Sequence, residues 1–378
     1  MPEPPDGTES SVLVDLGPRR YTVRVVTGSR GFGAFARESL AATWAGRACR
    51  SALVVTDANL ADHPAAAGTL DALRNVQIEP RLAVLDPGEA TKSLPSASRL
   101  YDELVAMRAD RHAAVVAVGG GVIGDLAGFA AATYARGVPL LMVPTTLLAQ
   151  VDSSVGGKVG INHPRAKNII GAFHQPSGVW VDTATLDTLP DRELRCGLAE
   201  VVKYGVILDA AFFEGLEERV GEILARDPAA IRWIVARCCE LKADVVTRDE
   251  REETGLRAVL NFGHTVGHAV EAVAGYGGAY QHGEAVAAGM VAECRIAERI
   301  GWIGPGLTDR LIGLLARIGL PTRINGCDPA TLLEAMGRDK KNEAGAVRFV
   351  LPRELGRVEL TGLPSRDDVV AALEPLCR

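Results

Sequence analysis

The chain has 378 residues, more than one ordinary hydrophobic core accommodates, and this length predicts two domains. Hydrophobic residues make up 47 % of the sequence and charged residues 23 %, which is typical of soluble globular proteins. The formal net charge of −6 excludes a general attraction to nucleic acid or to an anionic membrane surface. An anionic ligand would therefore have to be held by local basic residues.

Targeting and redox signals indicate a cytoplasmic protein. Residues 1 to 10 carry acidic residues and prolines where a signal peptide would need a basic start, and they read as a loose tail. The seven cysteines show no C-x-x-C spacing, which favours reduced thiols. The apolar stretch from Ala113 to Ala135 is long enough to span a membrane, but Asp125 and five glycines favour a buried α/β segment.

The first third of the chain alternates predicted strands and helices. Val12 to Leu16 and Tyr21 to Val26 predict a β-hairpin, and Phe32 to Ala45 predict a helix. Two further strands are predicted at Ala52 to Thr56 and Arg81 to Leu85. This alternation predicts a parallel sheet with ligands at the carboxyl ends of its strands. At the first of those ends, Asp57 can bind ribose hydroxyls or cap a helix, and the sequence leaves both open.

The segment from Val115 to Phe129 carries the clearest binding signal. A β-branched run ends in three glycines and an apolar, helix-compatible stretch follows, which predicts a strand, a tight turn and a helix. Glycines there allow backbone N–H groups to approach a phosphate, and the helix N-terminus adds partial positive charge. The turn therefore indicates a nucleotide pyrophosphate, although such glycines also occur for packing alone.

The next segments complete the predicted sheet. Leu140 to Val143 form a strand that runs into Thr145 and Thr146, and Val179 to Val181 form the last strand. Between them, Gln150 to Pro176 show little periodicity and predict a long polar loop with a binding role.

Beyond Leu186 the pattern becomes helical. Asp227-Pro228 and Asp328-Pro329 each place an acidic N-cap before a proline, which predicts two helix starts. A boundary near residue 185 without a flexible linker predicts two halves that pack around a cleft. A strand-like stretch, Val347 to Leu351, interrupts the helical half.

Three stretches of the helical half contain metal-capable side chains. They are GLAEVVKYG with Glu200, NFGHTVGHAVE with His264 and His268, and QHGEAVAAGM with His282 and Glu284. The i, i+4 spacing by itself favours His264 with His268 as metal ligands. Imidazole and carboxylate ligands suit zinc, whereas any one of these histidines could equally be an ordinary core or surface residue.

Basic residues form a second pattern. They lie in stretches flanked by glycine, asparagine or aspartate, without the charge pairing of a solvated helix face: Lys158, Lys167, Lys203, Lys242, Arg257, Lys340 and Lys341. Together they predict a pocket for a strongly anionic ligand, although each alone could be a surface charge.

Ordered segments throughout the chain resemble the 3-dehydroquinate synthase family of sugar phosphate cyclases. They include GGGVIGDLAGFAAATYARGV, VPTTLLAQVDSSVGGKVGIN, KNIIGAFHQP, GLAEVVKYGVI, GLRAVLNFGHTVGHAVE, HGEAVAAGM and RDKKNEAGAVRFVLP. The resemblance implies a Rossmann-like parallel-sheet NAD domain (1–185) and a mostly α-helical metal- and substrate-binding domain (186–378). It further implies a divalent metal, zinc or less commonly cobalt, and a homodimer.

The resemblance also implies roles for individual residues. The metal ligands fall on Glu200, His264 and His282, and His268 contacts substrate instead of metal. NAD contacts fall on Asp57, Pro87, Gly88, Glu89, Ala90, Thr91, Lys92, Gly121, Val122, Ile123, Gly124, Asp125, Thr145, Thr146, Lys158, Lys167, Thr185, Leu186, Asp187 and Thr188. Catalytic and substrate positions fall on Asp152, Lys158, Asn168, Lys203, Lys242, Arg257, Asn261, His268 and Lys341, with Arg136 reaching a partner subunit.

The implied reaction converts 3-deoxy-D-arabino-heptulosonate 7-phosphate into 3-dehydroquinate and phosphate, with transient oxidation at C5 by NAD. Alternatives are a sister cyclase that takes an amino analogue or sedoheptulose 7-phosphate, a metal-dependent polyol dehydrogenase, or a binding protein without catalysis. One departure from the family pattern is Val159, which follows Gly156-Gly157-Lys158 where the family has a threonine. The valine lacks the hydroxyl group, so a loop contact or cap made by that group is expected to be missing.

Overall fold

The computed structural model describes residues 9–28, 30–43, 48–164, 166–275, 279–337 and 347–377. Its strands are β1 (Glu9–Val14), β2 (Tyr21–Val26), β3 (Ser51–Asp57), β4 (Glu79–Leu85), β5 (Ala114–Gly119), β6 (Leu140–Pro144), β7 (Lys158–His163), β8 (Ala166–Phe173), β9 (Gly178–Asp182), β10 (Phe349–Glu354) and β11 (Arg357–Thr361). Its helices are α1 (Phe32–Thr43), α2 (Pro64–Asn75), α3 (Leu94–Ala106), α4 (Gly121–Thr133), α5 (Asp191–Leu208), α6 (Ala210–Leu224), α7 (Pro228–Arg248), α8 (His264–Val273), α9 (His282–Arg299), α10 (Pro305–Ile318), α11 (Pro329–Gly337) and α12 (Arg366–Leu373).

The described residues form two compact units. The N-terminal unit comprises residues up to Leu189 together with Ile231–Arg251, and the C-terminal unit comprises Pro190–Ala230 with the residues from Glu252 onward. Most of α7 thus belongs to the N-terminal unit. A single boundary near residue 185 does not account for this segment, and the sequence gives no sign of it.

A seven-stranded sheet organises the N-terminal unit. Its order is β1-β2-β9-β6-β5-β3-β4, with β1 antiparallel to β2 and every other neighbour parallel. The predicted hairpin, parallel sheet and alternation of strands and helices are confirmed. An apolar cluster packs against the sheet, and in it the rings of Phe32 and Phe35 contact Trp180, with centroids 5.9 and 5.3 Å from that of the tryptophan. Residues 1–8 of the predicted tail and the predicted helix end at Ala45 lie outside the described residues, whereas Glu9 and Ser10 belong to β1.

The chain order fixes where this sheet can bind a ligand. From β3 the chain proceeds outward to β4, and it then crosses to the other side of β3 to form β5. The helices that follow β3 and β5 therefore leave the sheet in opposite directions, which opens a crevice at the carboxyl ends of these strands. Asp57 and Gly119 end the two strands that border it.

The prediction of a long polar loop at 150–176 is wrong, because most of this segment forms regular secondary structure. Residues Ala149–Ser153 form one π-helical turn, and β7 and β8 form an antiparallel hairpin. Most of β8 is exposed, so neither of its faces shows the apolar alternation that identifies a half-buried strand. That is why the sequence pattern suggested irregular structure.

Val159 is a packing residue of this hairpin. It is buried against α4, where a Cβ added to Gly128 would lie 2.3 Å from Val159 Cγ1. We therefore expect Gly128→Ala to lower the free energy of unfolding by about 1–2 kcal/mol, since overpacking outweighs the better helix propensity of alanine. Urea unfolding of Gly128→Ala, Val159→Ala and the double variant tests the contact, because Val159→Ala removes the Cγ1 atom that the new methyl group would meet most closely. We expect the double variant to lose less stability than the sum of the two single losses, and additive losses would contradict the contact.

The C-terminal unit is mainly helical, as the sequence predicts, and β10 and β11 form a two-stranded antiparallel sheet within it. Both predicted acidic N-caps are confirmed. Asp227 Oδ1 accepts the backbone N–H of Ala229 and Ala230 at 3.0 and 2.9 Å, and Asp328 Oδ1 accepts that of Thr331 at 3.0 Å.

Glycines allow the helices of this unit to approach closely. A Cβ on Gly283 of α9 would lie 2.0 Å from the carbonyl oxygen of Cys196 in α5. A Cβ on Gly289 would lie equally close to the carbonyl oxygen of Gly263, just before α8. Three segments that carry metal-capable side chains are thereby packed backbone against backbone.

Within the described ranges, no helix combines the length and the apolar character that crossing a bilayer requires. The stretch from Ala113 to Ala135 is β5 followed by α4, in agreement with the sequence prediction. All seven cysteines are free thiols.

Candidate active site

The turn between β5 and α4 has the features of a phosphate-binding turn. Gly119 ends the strand, Gly120 precedes the helix and Gly121 begins it. Added Cβ atoms on the first two would lie 2.8 Å from Ile123 Cβ and 3.1 Å from Thr146 Cγ2. The turn carries no side chains of its own, and the first N–H groups of α4 have no partner within the helix, so they are available to an anion.

The other predicted NAD contacts lie at or near the carboxyl ends of neighbouring strands. Asp57 ends β3, and its Oδ1 accepts the backbone N–H of Asn59 at 2.9 Å, so the carboxylate also stabilises the local turn. After β4, Pro87, Gly88, Glu89 and Ala90 are exposed, while Thr91 and Lys92 are buried. Thr145 is buried after β6, and Thr146 Oγ1 accepts the N–H of Ala149 at 3.2 Å.

The remaining predicted NAD contacts lie after β9 and on the hairpin. Thr185 and Leu186 are buried, Asp187 and Thr188 are exposed, and the Thr185 hydroxyl donates to the carbonyl oxygen of Asp182 at 2.7 Å. Lys158 is exposed at the start of β7, and Lys167 is half-buried in β8. Within α4, Val122 and Gly124 are half-buried and Ile123 is buried.

A buried lysine connects α4 to the hairpin. The Lys92 ammonium donates to Asp125 Oδ2 at 2.6 Å and to Asn168 Oδ1, and Asn168 donates its backbone N–H to Asn162 Oδ1 at 2.8 Å. Burial raises the pKa of Asp125, although the charge of Lys92 opposes this shift. Lys92 thus contacts a side chain of α4, the helix that begins at the glycine turn.

Helix α7 brings a second lysine to the N-terminal unit. The Lys242 ammonium is buried and donates to Asp152 Oδ1 at 2.6 Å and to the backbone carbonyl of the same residue at 2.5 Å. These two predicted catalytic residues are ninety positions apart in sequence. Their contact brings a cation to the π-helical turn. Arg136, by contrast, is exposed and has a positive φ of 66°.

In the C-terminal unit, Glu200, His264 and His282 come together. Each offers one ligand atom, and these atoms lie within 4.8 Å of one another. His264 Nε2 is 3.6 Å and His282 Nε2 is 3.5 Å from Glu200 Oε1. The i, i+4 pair favoured by spacing alone does not occur as a group: His268 lies in a second cluster, with Glu271 and His282.

In both His264 and His282, the ring nitrogen that does not face Glu200 is hydrogen-bonded. His264 Nδ1 donates to the carbonyl oxygen of Phe262 at 3.1 Å, and His282 Nδ1 donates to Glu271 Oε2 at 3.2 Å. Because both acceptors take the Nδ1 proton, Nε2, which faces Glu200, is the ring nitrogen left to bind a cation. Glu271 was not assigned a role from sequence, although it lies three residues after His268 on the same helix face.

The charges in this cluster fit a bound cation. Glu200 is completely buried, with the Lys203 ammonium paired to its Oε2 and the imidazoles of His264 and His282 facing its Oε1. Burial raises its pKa, but the charges of Lys203 and His282 outweigh that effect and lower the pKa to about 2. One carboxylate and two imidazoles with their second nitrogens satisfied are a donor set that suits zinc with an open position.

The remaining predicted substrate residues of this unit lie in α5, α8 and the turn before α8. Lys203 is buried one helical turn after Glu200 and forms an ion pair with it. Arg257 is buried with its Nε 3.8 Å from Glu252 Oε1, and Asn261 and His268 are half-buried. Lys340 and Lys341 lie outside the described residues.

Comparison with known proteins identifies the family. The model described as 3-dehydroquinate synthase N-terminal matches residues 82–196, and the one described as 3-dehydroquinate synthase C-terminal matches residues 197–342. The chain belongs to the 3-dehydroquinate synthase family. The 3-dehydroquinate synthase of Desulforamulus reducens is 46 % identical over 96 % of this chain and 99 % of its own length. That of Symbiobacterium thermophilum is 49 % identical over 97 % of this chain and its full length.

Solved structures of sister cyclases share the fold. A 2-epi-5-epi-valiolone synthase from Streptomyces hygroscopicus, with NAD⁺ and Zn²⁺ bound, has a TM-score of 0.83 and 29 % identity over 94 % of this chain and 96 % of its own. A 2-deoxy-scyllo-inosose synthase with carbaglucose-6-phosphate, NAD⁺ and Co²⁺ has a TM-score of 0.84 at 24 % identity, covering 97 % and 99 % of the two chains.

Proposed function

We propose that the protein is a 3-dehydroquinate synthase that converts 3-deoxy-D-arabino-heptulosonate 7-phosphate into 3-dehydroquinate and phosphate. The observation that carries this proposal is the cluster of Glu200, His264 and His282, of which the first two are buried, in a chain of this family. The reaction belongs to the seven-step route to chorismate and the aromatic amino acids.

The proposed cofactors are NAD⁺ and a divalent cation, zinc in preference to cobalt. When bound, they supply a reversible hydride acceptor and a Lewis acid that lowers the proton affinity of the C5 hydroxyl. The glycine turn after β5 would hold the pyrophosphate, and Asp57 at the end of β3 would hold a ribose. Glu200, His264 and His282 would hold the cation.

The chain's own basic groups would neutralise the substrate. Lys203, Lys242 and Arg257 are buried cations, and a substrate with a phosphate and a carboxylate needs several of them. A lysine or arginine near the leaving phosphate oxygens stabilises the charge that develops as the C–O bond breaks. Asp152 orients the Lys242 ammonium through its 2.6 Å hydrogen bond. His268, Asn168, Asn261, Lys158, Lys341 and Arg136 remain proposed substrate contacts.

Sequence identity favours a 3-dehydroquinate synthase over a sister cyclase or a polyol dehydrogenase. Curated 3-dehydroquinate synthases share 46–54 % identity with the chain, whereas the two sister cyclases above share 29 and 24 %. Polyol dehydrogenases share the fold at lower similarity, for example a probable glycerol dehydrogenase with a TM-score of 0.57.

The proposal extends to organisation and location. We place NAD binding in residues 1–185, and the metal and most substrate contacts in residues 186–378. We also propose that the protein works as a homodimer in the cytoplasm. Seven free thiols accord with a reducing compartment.

The decisive test is phosphate release from 3-deoxy-D-arabino-heptulosonate 7-phosphate by protein supplied with NAD⁺ and zinc, with NADH absorbance recorded in parallel. We expect phosphate release without net NADH, lost on chelation and restored by zinc. Net NADH formation would instead indicate a dehydrogenase. No reaction with this substrate but turnover of its amino analogue or of sedoheptulose 7-phosphate would indicate a sister cyclase.

A further inference from the structure

Two buried glutamates, one on α8 and one on α9, contact groups that position the histidines of the proposed metal site. Glu271 is on α8 and is 7 % exposed, and Glu293 is on α9 and is fully buried. Neither belongs to the cluster of Glu200, His264 and His282. A buried carboxylate is costly unless it is hydrogen-bonded, so the groups that each one contacts indicate its purpose.

Glu271 contacts the histidine of the other helix. Its Oε2 accepts the Nδ1 proton of His282 at 3.2 Å, while Nε2 of the same ring faces Glu200 Oε1 at 3.5 Å. A carboxylate in this position fixes the tautomer, orients the ring and makes Nε2 a stronger donor to a cation.

Glu293 acts on His264 through the backbone. Its Oε2 accepts the N–H of Gly263 at 2.7 Å, and its Oε1 accepts the N–H of Val266 at 3.4 Å. The Gly263 N–H belongs to the same planar peptide unit as the Phe262 carbonyl. That carbonyl accepts the Nδ1 proton of His264. By holding one end of the peptide plane, Glu293 holds the acceptor that orients the ring.

The conformation of this peptide depends on close packing as well. Gly263 has a φ of +80°, and a Cβ there would lie 2.5 Å from Met290 Cγ and 2.9 Å from the Val286 carbonyl oxygen. Glu293 also lies at the N-terminus of α8, where the helix dipole favours a negative charge. The helix dipole and these two backbone N–H groups thus stabilise the buried carboxylate.

We propose that Glu271 and Glu293 are reciprocal positioning residues, in which each helix supplies the carboxylate that orients the metal-binding histidine of the other. Glu271 of α8 orients His282 of α9 directly, and Glu293 of α9 orients His264 of α8 through the Phe262–Gly263 peptide. This inference rests on the metal site of the proposed function.

The test is zinc affinity, measured by competition with a chelator, for the wild-type protein, Glu271→Gln and Glu293→Gln. We expect each variant to bind zinc ten- to a hundredfold more weakly, as is typical when the group orienting a ligand is lost. The visible spectrum of the cobalt-loaded protein should also change, because it reports ligand geometry. Glu298→Gln is the matched control: it makes the same change on α9, at a residue paired with Arg295, and should shift affinity by less than about twofold.

Three results would overturn the inference. Unchanged zinc affinity and cobalt spectrum in folded Glu271→Gln and Glu293→Gln would reduce both residues to structural roles. Loss of zinc binding by Glu271→Gln as complete as that of His282→Ala would make Glu271 a ligand. If Glu293→Gln does not fold, Glu293→Asp replaces it, because the shorter side chain withdraws the carboxylate from the Gly263 N–H. Wild-type zinc affinity in Glu293→Asp would show that Glu293 does not orient His264 through the Phe262–Gly263 peptide. Failure of the wild-type protein to bind zinc would instead refute the metal site of the proposed function.

Discussion

Replacing His282 by alanine is expected to abolish zinc binding and phosphate release together. His282 Nε2 is one of the three ligand atoms of the cluster, and its ring is already oriented by Glu271. With one imidazole removed, Glu200 and His264 leave too few donors for a stable tetrahedral zinc site. Zinc content after dialysis and the phosphate-release assay measure the two properties on the same sample.

His112→Ala is the control for this prediction. It removes an imidazole from the N-terminal unit, where His112 lies beside Asp110, and both zinc content and phosphate release should stay at the wild-type level. A His282→Ala protein that retained zinc and activity would show that the proposed ligand set is wrong.

Glu200→Leu is expected to lower the free energy of unfolding by about 3 kcal/mol in the absence of metal, because it breaks a buried ion pair. Glu200 is completely buried, Lys203 is 1 % exposed, and the two lie one turn apart on α5. The change removes the carboxylate beside a buried ammonium group. Urea unfolding followed by circular dichroism, with chelator present, measures the loss.

The double variant Glu200→Leu/Lys203→Met separates stability from chemistry. Removing both charges should restore most of the lost stability, while zinc binding and phosphate release remain absent. Breaking the exposed pair Arg237–Glu240, which has the same i, i+3 spacing, by Glu240→Gln should cost at most about 1 kcal/mol. If Glu200→Leu cost no more than Glu240→Gln, the buried pair would not carry the stability assigned to it.

Local patterns predicted the elements whose signal lies within a few neighbouring residues. The β1–β2 hairpin, the strand-turn-helix at Gly119–Gly121 and the acidic caps at Asp227 and Asp328 are all present. Each of these elements is determined by residues close together in sequence, through the alternation of apolar residues, the small size of glycine or the capping of a helix by an acidic side chain. The hairpin of β7 and β8 was missed because its second strand is mostly exposed and therefore has no apolar periodicity.

The candidate site could be predicted only in part from local patterns. Spacing drew attention to the three segments that the structure brings together, but it favoured His264 with His268, and the set of Glu200, His264 and His282 came from the family resemblance. Helical spacing reports which side chains share a face of one helix. It contains no information on which faces of α5, α8 and α9 meet.

The α/β and helical halves, the glycine turn and the family can be predicted from the amino-acid sequence, because they follow from short-range patterns and from motifs in a fixed order. The contact of Lys242 in α7 with Asp152, and those of Glu271 and Glu293 with the histidine segments of neighbouring helices, become visible only in the folded structure. Such contacts join residues 11 to 90 positions apart. They depend on how close the helix backbones come, which the glycines permit but do not reveal in sequence.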